Sequence, residues 1–202
     1  MMALRVTISD YGVGNLYSIR RSLEMCGAEV EVVTDMSRLL DAECIVFPGV
    51  GAFDRTMERL LPYRDGIRER LEAGVPALGV CIGMQILFDG SEEGSSPGLG
   101  LIGGDVVGLR CRVRPHMGWN RVSSADPLFD GVSDDHFYFV HSFHGSPTDP
   151  SATIGTTEYE GTEFPSFFRV HNTYGTQFHP EKSSVSGRTV LENFISFAEA
   201  ER

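Results

Sequence analysis

Apolar positions follow two rhythms in the first half of the chain. Leu4, Val6 and Ile8 alternate with polar neighbours and predict a half-buried strand, whereas Leu16, Ile19, Leu23 and Cys26 recur at helical spacing before Gly27. A Gly-rich turn at 10–15 joins the two. A second strand over 29–33 and a short helix around 37–40 precede Cys44-Ile45-Val46-Phe47, an unbroken apolar run that suits a central parallel strand covered on both faces. After Pro48-Gly49-Val50-Gly51, Asp54 can cap a helical stretch that Pro62 interrupts and that resumes at Asp65, with Ile67 and Leu71 inward and Gly74 at its end. A strand over 75–80 follows, and a helix over 82–88 succeeds it almost without a loop.

The second half changes character. Strand-like segments fall at 105–109, 119–123, 136–141, 152–159, 167–171 and 175–178, separated by turn residues, and 90–100 reads as a loop. Helical periodicity returns only at Val190, Leu191, Phe194, Ile195 and Phe197. Alternating strands and helices imply right-handed crossovers and a parallel sheet with helices on both faces. The pattern therefore predicts an α/β fold: a central mixed, mostly parallel sheet flanked by helices, an antiparallel extension in the second half, and a closing helix packed back on the sheet. No repeat or linker divides the text, so residues 1–202 are expected to form a single domain.

Composition narrows the partners. A formal net charge of -11 repels the phosphates of nucleic acid and anionic lipid surfaces, so neither is expected as a partner. The longest nearly apolar stretch, 44–53, is too short and too rich in Gly and Pro to span a bilayer, and the first residues lack a signal-peptide core; a cytoplasmic location is expected. The four cysteines, Cys26, Cys44, Cys81 and Cys111, form no C-x-x-C pair, which argues against a disulfide framework and a structural zinc site.

One cysteine stands apart. Gly79-Val80-Cys81-Ile82-Gly83 has the spacing of the G-x-S-x-G nucleophile elbow with Cys in place of Ser, at the junction of a buried strand and a helix. Glycines on both sides make room for a sharp turn, and the helix N-terminus favours a thiolate. The pentapeptide alone leaves a buried structural cysteine as an even alternative. A cysteine nucleophile needs a base, and His179-Pro180-Glu181 offers one: in an extended segment His and Glu would project to one side, about 6 to 7 Å apart at the backbone, and the carboxylate could fix the imidazole. His141 and His144 share no carboxylate or thiolate at a ligand spacing, so no metal is expected. Gly12-Val13-Gly14-Asn15-Leu16-Tyr17 has Tyr17 where a dinucleotide loop needs glycine, so no nucleotide cofactor is expected either.

With elbow and H-x-E in place, the sequence resembles the class I (triad) glutamine amidotransferases, and more narrowly the glutaminase subunits of imidazole glycerol phosphate synthases. The resemblance covers nearly the whole chain and rests on Asp10-Tyr11-Gly12-Val13-Gly14-Asn15-Leu16, Pro48-Gly49-Val50-Gly51-Ala52-Phe53, residues 79–85, Pro115-His116-Met117-Gly118-Trp119-Asn120, and residues 138–143 and 177–183. Phe143, where Tyr is expected, and Arg114, where a small or apolar residue is usual, depart from it. The resemblance implies a flavodoxin-like amidotransferase fold without cofactor or metal. It implies that Cys81 attacks L-glutamine, that His179 moves the proton and that Glu181 orients His179, with Val50, Gly51 and Ile82 at the oxyanion hole. Gln85, Glu93, Ser142 and Phe143 would bind the substrate. Ammonia would pass to a (β/α)₈-barrel cyclase partner in a heterodimer that makes imidazole glycerol phosphate and aminoimidazole carboxamide ribotide for histidine biosynthesis. Asp10, Tyr11, Gly12, Asn15, Trp119, Asn120, Tyr138 and Lys182, motif residues outside the triad, are the expected partner-facing rim. Another cysteine hydrolase on a similar sheet, or a binding subunit without catalysis, are the rival readings; the P-H-M-G-W-N segment and the intact triad disfavour them.

Overall fold

The computed structural model describes residues 3–12 and 16–201. The first half runs β1 (Arg5–Ser9), α1 (Leu16–Met25), β2 (Glu29–Val33), β3 (Cys44–Phe47), α2 (Phe53–Leu60), α3 (Arg64–Glu72), β4 (Ala77–Val80) and α4 (Ile82–Gln85). The second half is strand-rich: β5 (Phe88–Ser91), β6 (Ile102–Gly108), β7 (His116–Arg121), β8 (Ser123–Ser124), β9 (His136–His141), β10 (Phe143–Pro147), β11 (Thr153–Tyr159), β12 (Thr162–Val170) and β13 (Thr173–Thr176), closed by α5 (Ser184–Ala200). Eight strands form the main sheet in the order β2-β1-β3-β4-β13-β12-β11-β8. The pairs from β2 to β13 are parallel, and β12, β11 and β8 add on antiparallel. This is the mixed sheet with an antiparallel extension that the pattern predicts.

β3 shows why an unbroken apolar run belongs in the middle. Cys44 and Val46 enter the core on one face, with Ile19 and Leu23 of α1 and Val190, Leu191 and Phe194 of α5. Ile45 and Phe47 enter the other, with Phe53 and Met57 of α2 and Ile67 and Leu71 of α3. Each strand face thus has its own helical layer, and water is excluded from both.

Several local expectations are corrected. Asp54 does not cap α2: Ala52 holds the cap position without a side-chain bond, and Asp54 instead accepts the N–H groups of Ser95 and Ser96, 2.9 to 3.1 Å away. Glu93 supplies the missing acceptor, its Oε2 lying 2.9 Å from the Phe53 N–H. The helix after Cys81 stops at Gln85, and Phe88 opens β5, which pairs with β6 and whose Gly90 and Ser91 fall in the span expected to be a loop. Leu87 and Phe88 give up helix for that small sheet, where Phe88 packs edge-on to Phe168 at 5.4 Å. Three strands outgrow their predicted spans: β6 and β7 begin earlier, and β12 runs from Thr162 because the Glu160-Gly161 turn, both residues at positive φ, folds β11 and β12 into a long hairpin. β10 pairs with β6 and was not foreseen from local pattern. Among the described residues no helix is long and apolar enough to cross a membrane.

Candidate active site

β3, β4 and β13 are parallel neighbours, and the chain leaving their carboxyl ends builds one site, at the sheet edge where α/β folds collect ligands. Cys81 follows β4 directly with φ 50 and ψ -108. That left-handed backbone costs a residue with a Cβ about 1–3 kcal/mol. Three hydrogen bonds hold it: the Cys81 N–H donates to Thr176 O at 2.7 Å, and the Cys81 carbonyl accepts from the N–H groups of Met84 and Gln85 at 3.0 Å each. The flanking glycines are needed for contact. A Cβ on Gly79 would strike the Gly83 carbonyl, and one on Gly83 the Phe47 carbonyl.

Beyond β13, Phe178 packs into the core while Gln177 and His179 turn to Cys81. His179 Nδ1 lies 2.8 Å from Glu181 Oε1. The segment is not extended as expected: Pro180 starts a 3-10 turn over Pro180–Lys182, and the carboxylate folds back over one turn onto the ring. The Ser183 hydroxyl donates to the His179 carbonyl at 2.6 Å, and the His179 N–H donates to Tyr138 O at 2.9 Å, so the backbone that carries the ring is held on both sides.

Burial by itself lowers the His179 pKa. The Cys81 charge, with the bonded Glu181 carboxylate behind the ring, outweighs it and pushes the imidazole up to about 10. His179 Nε2 is enclosed and falls short of hydrogen-bond geometry with any group. The charge attraction to Cys81 is thus present before the bond closes, as is common for catalytic pairs that tighten on substrate. Two further cysteines are held as thiols: burial pushes Cys26 up to about 11 and Cys44 higher.

Val50, Gly51, Ile82, Gln85, Glu93, Ser142 and Phe143 border one cavity of about 340 Å³, and Cys81 is on its wall. Several of their groups are already committed. Gln85 Nε2 donates to Phe143 O at 2.9 Å and to Gln177 Oε1 at 3.2 Å, leaving its own Oε1 for a ligand. Ser142 O accepts from the Leu109 N–H at 2.9 Å. One Glu93 oxygen holds α2, and the other remains for a cation.

β7 and β9 form a hairpin behind the cavity. His141, which also borders it, has Nδ1 at 2.9 Å from Phe143 O, so Nδ1 carries the proton and Nε2 accepts. His116 Nδ1 donates to that Nε2 at 3.0 Å, and Asn120 Nδ2 donates to His116 Nε2 at 3.2 Å. Each tautomer follows from the one before. Burial lowers His116 to about 4 and His141 to about 3, so the chain is neutral.

The expected rim divides. Trp119 is 54% exposed, with its ring 6.3 Å from that of Tyr138, and Lys182 Nζ lies 5.8 Å from the Tyr138 ring. Asp10 and Gly12 sit at the end of β1, with the Gly12 N–H on Asp10 Oδ1 at 2.7 Å. Asn120 is occupied internally, on His116 and on Glu158 O. Tyr11 is corrected: it is 3% exposed and belongs to the core beside Phe47 and Phe53, so its side chain does not face a partner. Asn15 lies outside the described residues. Sequence reasoning missed Gln177, Val140 and His116 as parts of the site. Gln177 had a signal, two positions before His179; Val140 and His116 arrive only through the long-range β7–β9 pairing.

Comparison with known proteins gives this arrangement its relatives. Residues 7–197 match the family model of glutamine amidotransferase class-I. The chain is 43% identical over 203 residues to imidazole glycerol phosphate synthase subunit HisH of Halobacterium salinarum, covering 95% of this chain and 93% of the relative. It is 44% identical over 195 residues to the same-named subunit of Methanocaldococcus jannaschii, covering 94% and 98%. The crystal structure of a glutamine amidotransferase superposes with a TM-score of 0.75 at 18% identity over 96% of this chain and 98% of that one, a likeness of fold. A cysteine elbow facing a buried His-Glu pair, on this sheet and with relatives this close over nearly its whole length, makes the chain a member of the class I glutamine amidotransferases, in the HisH family of imidazole glycerol phosphate synthase subunits.

Proposed function

We propose that residues 1–202 act as a single glutaminase domain that hydrolyses L-glutamine through a Cys81 thioester and hands the ammonia to a cyclase subunit. The observation that carries this reading is Cys81 held at φ 50 on its strand-to-helix turn, coupled to a buried His179 whose Nδ1 sits 2.8 Å from Glu181. The raised His179 pKa supports an imidazolium facing Cys81 at neutral pH. The thiolate forms a C–S bond to the carboxamide carbon, and the carbonyl electrons move onto oxygen. Backbone N–H groups of Ile82 and of Val50 or Gly51 are the candidate donors to that oxyanion. Collapse breaks the C–N bond while His179 gives its Nε2 proton to the nitrogen, releasing ammonia and leaving a thioester with neutral His179. Water then adds to the thioester, His179 takes its proton, and collapse returns thiolate, imidazolium and glutamate. Glu93 and Gln85 Oε1 suit the substrate ammonium, while backbone at Ser142 and Phe143 suits its carboxylate.

The partner we infer is a (β/α)₈-barrel cyclase, docked on the edge that carries Asp10, Gly12, Trp119, Tyr138 and Lys182. The pair would make imidazole glycerol phosphate and aminoimidazole carboxamide ribotide for histidine biosynthesis, in the cytoplasm, where four free cysteines are at home. Cys81→Ala tests the nucleophile. It should abolish glutamine hydrolysis while ammonia-supported synthesis by the complex persists; glutamine-dependent turnover near wild type would remove Cys81 from the role.

A further inference from the structure

The chain contains two glutamines, Gln85 and Gln177, and both are buried beside Cys81. The Phe143 carbonyl can only accept, so the end of Gln85 that lies 2.9 Å from it is the amide nitrogen. The second hydrogen of that nitrogen points at Gln177, 3.2 Å away, which must therefore present Oε1. A main-chain carbonyl thus orients both amides in turn, and Gln177 Nε2 is left 3.5 Å from Cys81 Sγ. Gln177 is 0% exposed, and its own N–H is tied to Ser166 O at 2.9 Å.

We infer that Gln177 is a fixed N–H donor to the Cys81 thiolate, a further catalytic residue that holds the sulfur's charge and its direction. This rests on Cys81 being the nucleophile. Apart from the His179 imidazole, the sulfur's polar neighbour is Val140 O, 3.8 Å away, which suits an S–H donor and repels a thiolate. Gln177 lies behind the sulfur and not among the residues that border the cavity. Its contribution therefore falls on thiolate formation and kcat, and not on glutamine binding.

Gln177→Glu keeps the shape and can still accept from Gln85, but it offers the sulfur an anion in place of a donor. A hydrogen bond to a charged group is strong enough that its loss should raise the half-rate pH for iodoacetamide alkylation of Cys81 by about one unit and lower kcat about tenfold. KM for glutamine should stay within about twofold. Gln177→Leu should behave alike, and folded variants that keep the wild-type pH profile and kcat would overturn the inference. Should neither variant fold, the unaltered chain decides. Labelled with nitrogen-15 at glutamine, it gives two side-chain amides, and that of Gln177 should shift in step with the thiolate absorbance and lose this response in Cys81→Ser. If neither amide follows the sulfur, Gln177 is no donor, whereas full glutaminase activity in Cys81→Ser would instead remove the nucleophile reading itself.

Discussion

Glu181 and Gln177 approach the same reaction from opposite ends, one behind the imidazole and one behind the sulfur. Glu181→Gln keeps an acceptor for His179 Nδ1 but removes the charge that helps raise the imidazole. The base is then mis-set while nucleophile and oxyanion donors remain. Glutamine turnover should fall by about 10²- to 10⁴-fold, less than in Cys81→Ala, and the alkaline limb of the pH–rate profile should move to lower pH. Equal losses in both variants would mean that the three side chains act as one unit, and no loss would remove Glu181 from catalysis. At this scale the sequence spoke through short spacings. Gly79, Cys81 and Gly83 announce a tight turn because backbone contacts that forbid a Cβ leave only glycine. His179-Pro180-Glu181 announces a pair, though it misled on geometry: proline's fixed φ favours a turn over an extended strand. What a residue does for a neighbour far along the chain, as His116 does for His141, leaves no such local mark.

Among the elements, the β7–β9 hairpin and β10 are joined by the chain from Asn120 through His116 and His141 to the Phe143 carbonyl. His116 stacks on Phe139 and Tyr159, with centroids 4.7 and 4.1 Å apart, and this burial away from water is what makes it resist protonation. The sign of the consequence follows from the two states. Unfolded histidine takes up a proton below about pH 6.5, whereas His116 and His141 in the fold do so only near about 4 and 3, so the unfolded chain binds more protons in between. Stability should therefore fall as pH drops from about 6.5 toward 4. His116→Gln, which can accept from Asn120 and donate to His141, should flatten that slope in urea midpoints measured across this range. An unchanged slope would show that the pair does not carry it. The hairpin illustrates what periodicity cannot supply. Alternation in Phe137, Tyr138, Phe139 and Val140 gave the strand over 136–141, but the pairing of His116 with His141 joins two segments far apart in the chain, which alternation within either one does not specify. β3 was legible because both its faces are covered, and β5 and β10 were not because their stability comes from partners across a loop.

At the scale of the molecule, an acidic chain leaves Met117 61% and Trp119 54% exposed on one strand, with Lys182 beside Tyr138. Met117, Trp119 and Tyr138 lie on the β7–β9 pair whose Val140 carbonyl faces the Cys81 sulfur, so a protein seated there would press on the back of the active site. The loop after β3 is the other movable wall. Gly51 stands at φ 146, open to glycine alone, and a Cβ on Gly49 would meet the Val80 carbonyl, so the backbone around Val50 is shaped by two glycines rather than by side-chain packing. Such a loop can turn a peptide N–H toward or away from the oxyanion, and one absent donor costs about 10² to 10³ in rate. A partner that favours the competent arrangement by about 2.7 kcal/mol would raise glutaminase turnover about a hundredfold. Such gating would prevent ammonia from being made where no acceptor waits. We therefore expect the isolated chain to be a poor glutaminase, the complex with the cyclase to be somewhat better, and the complex loaded with the cyclase's nucleotide substrate to be fully active. Steady-state glutamate release in the three preparations measures it. Equal rates would remove the gating role of the Val50–Gly51 backbone and leave the chemistry of Cys81, His179 and Glu181 as it stands.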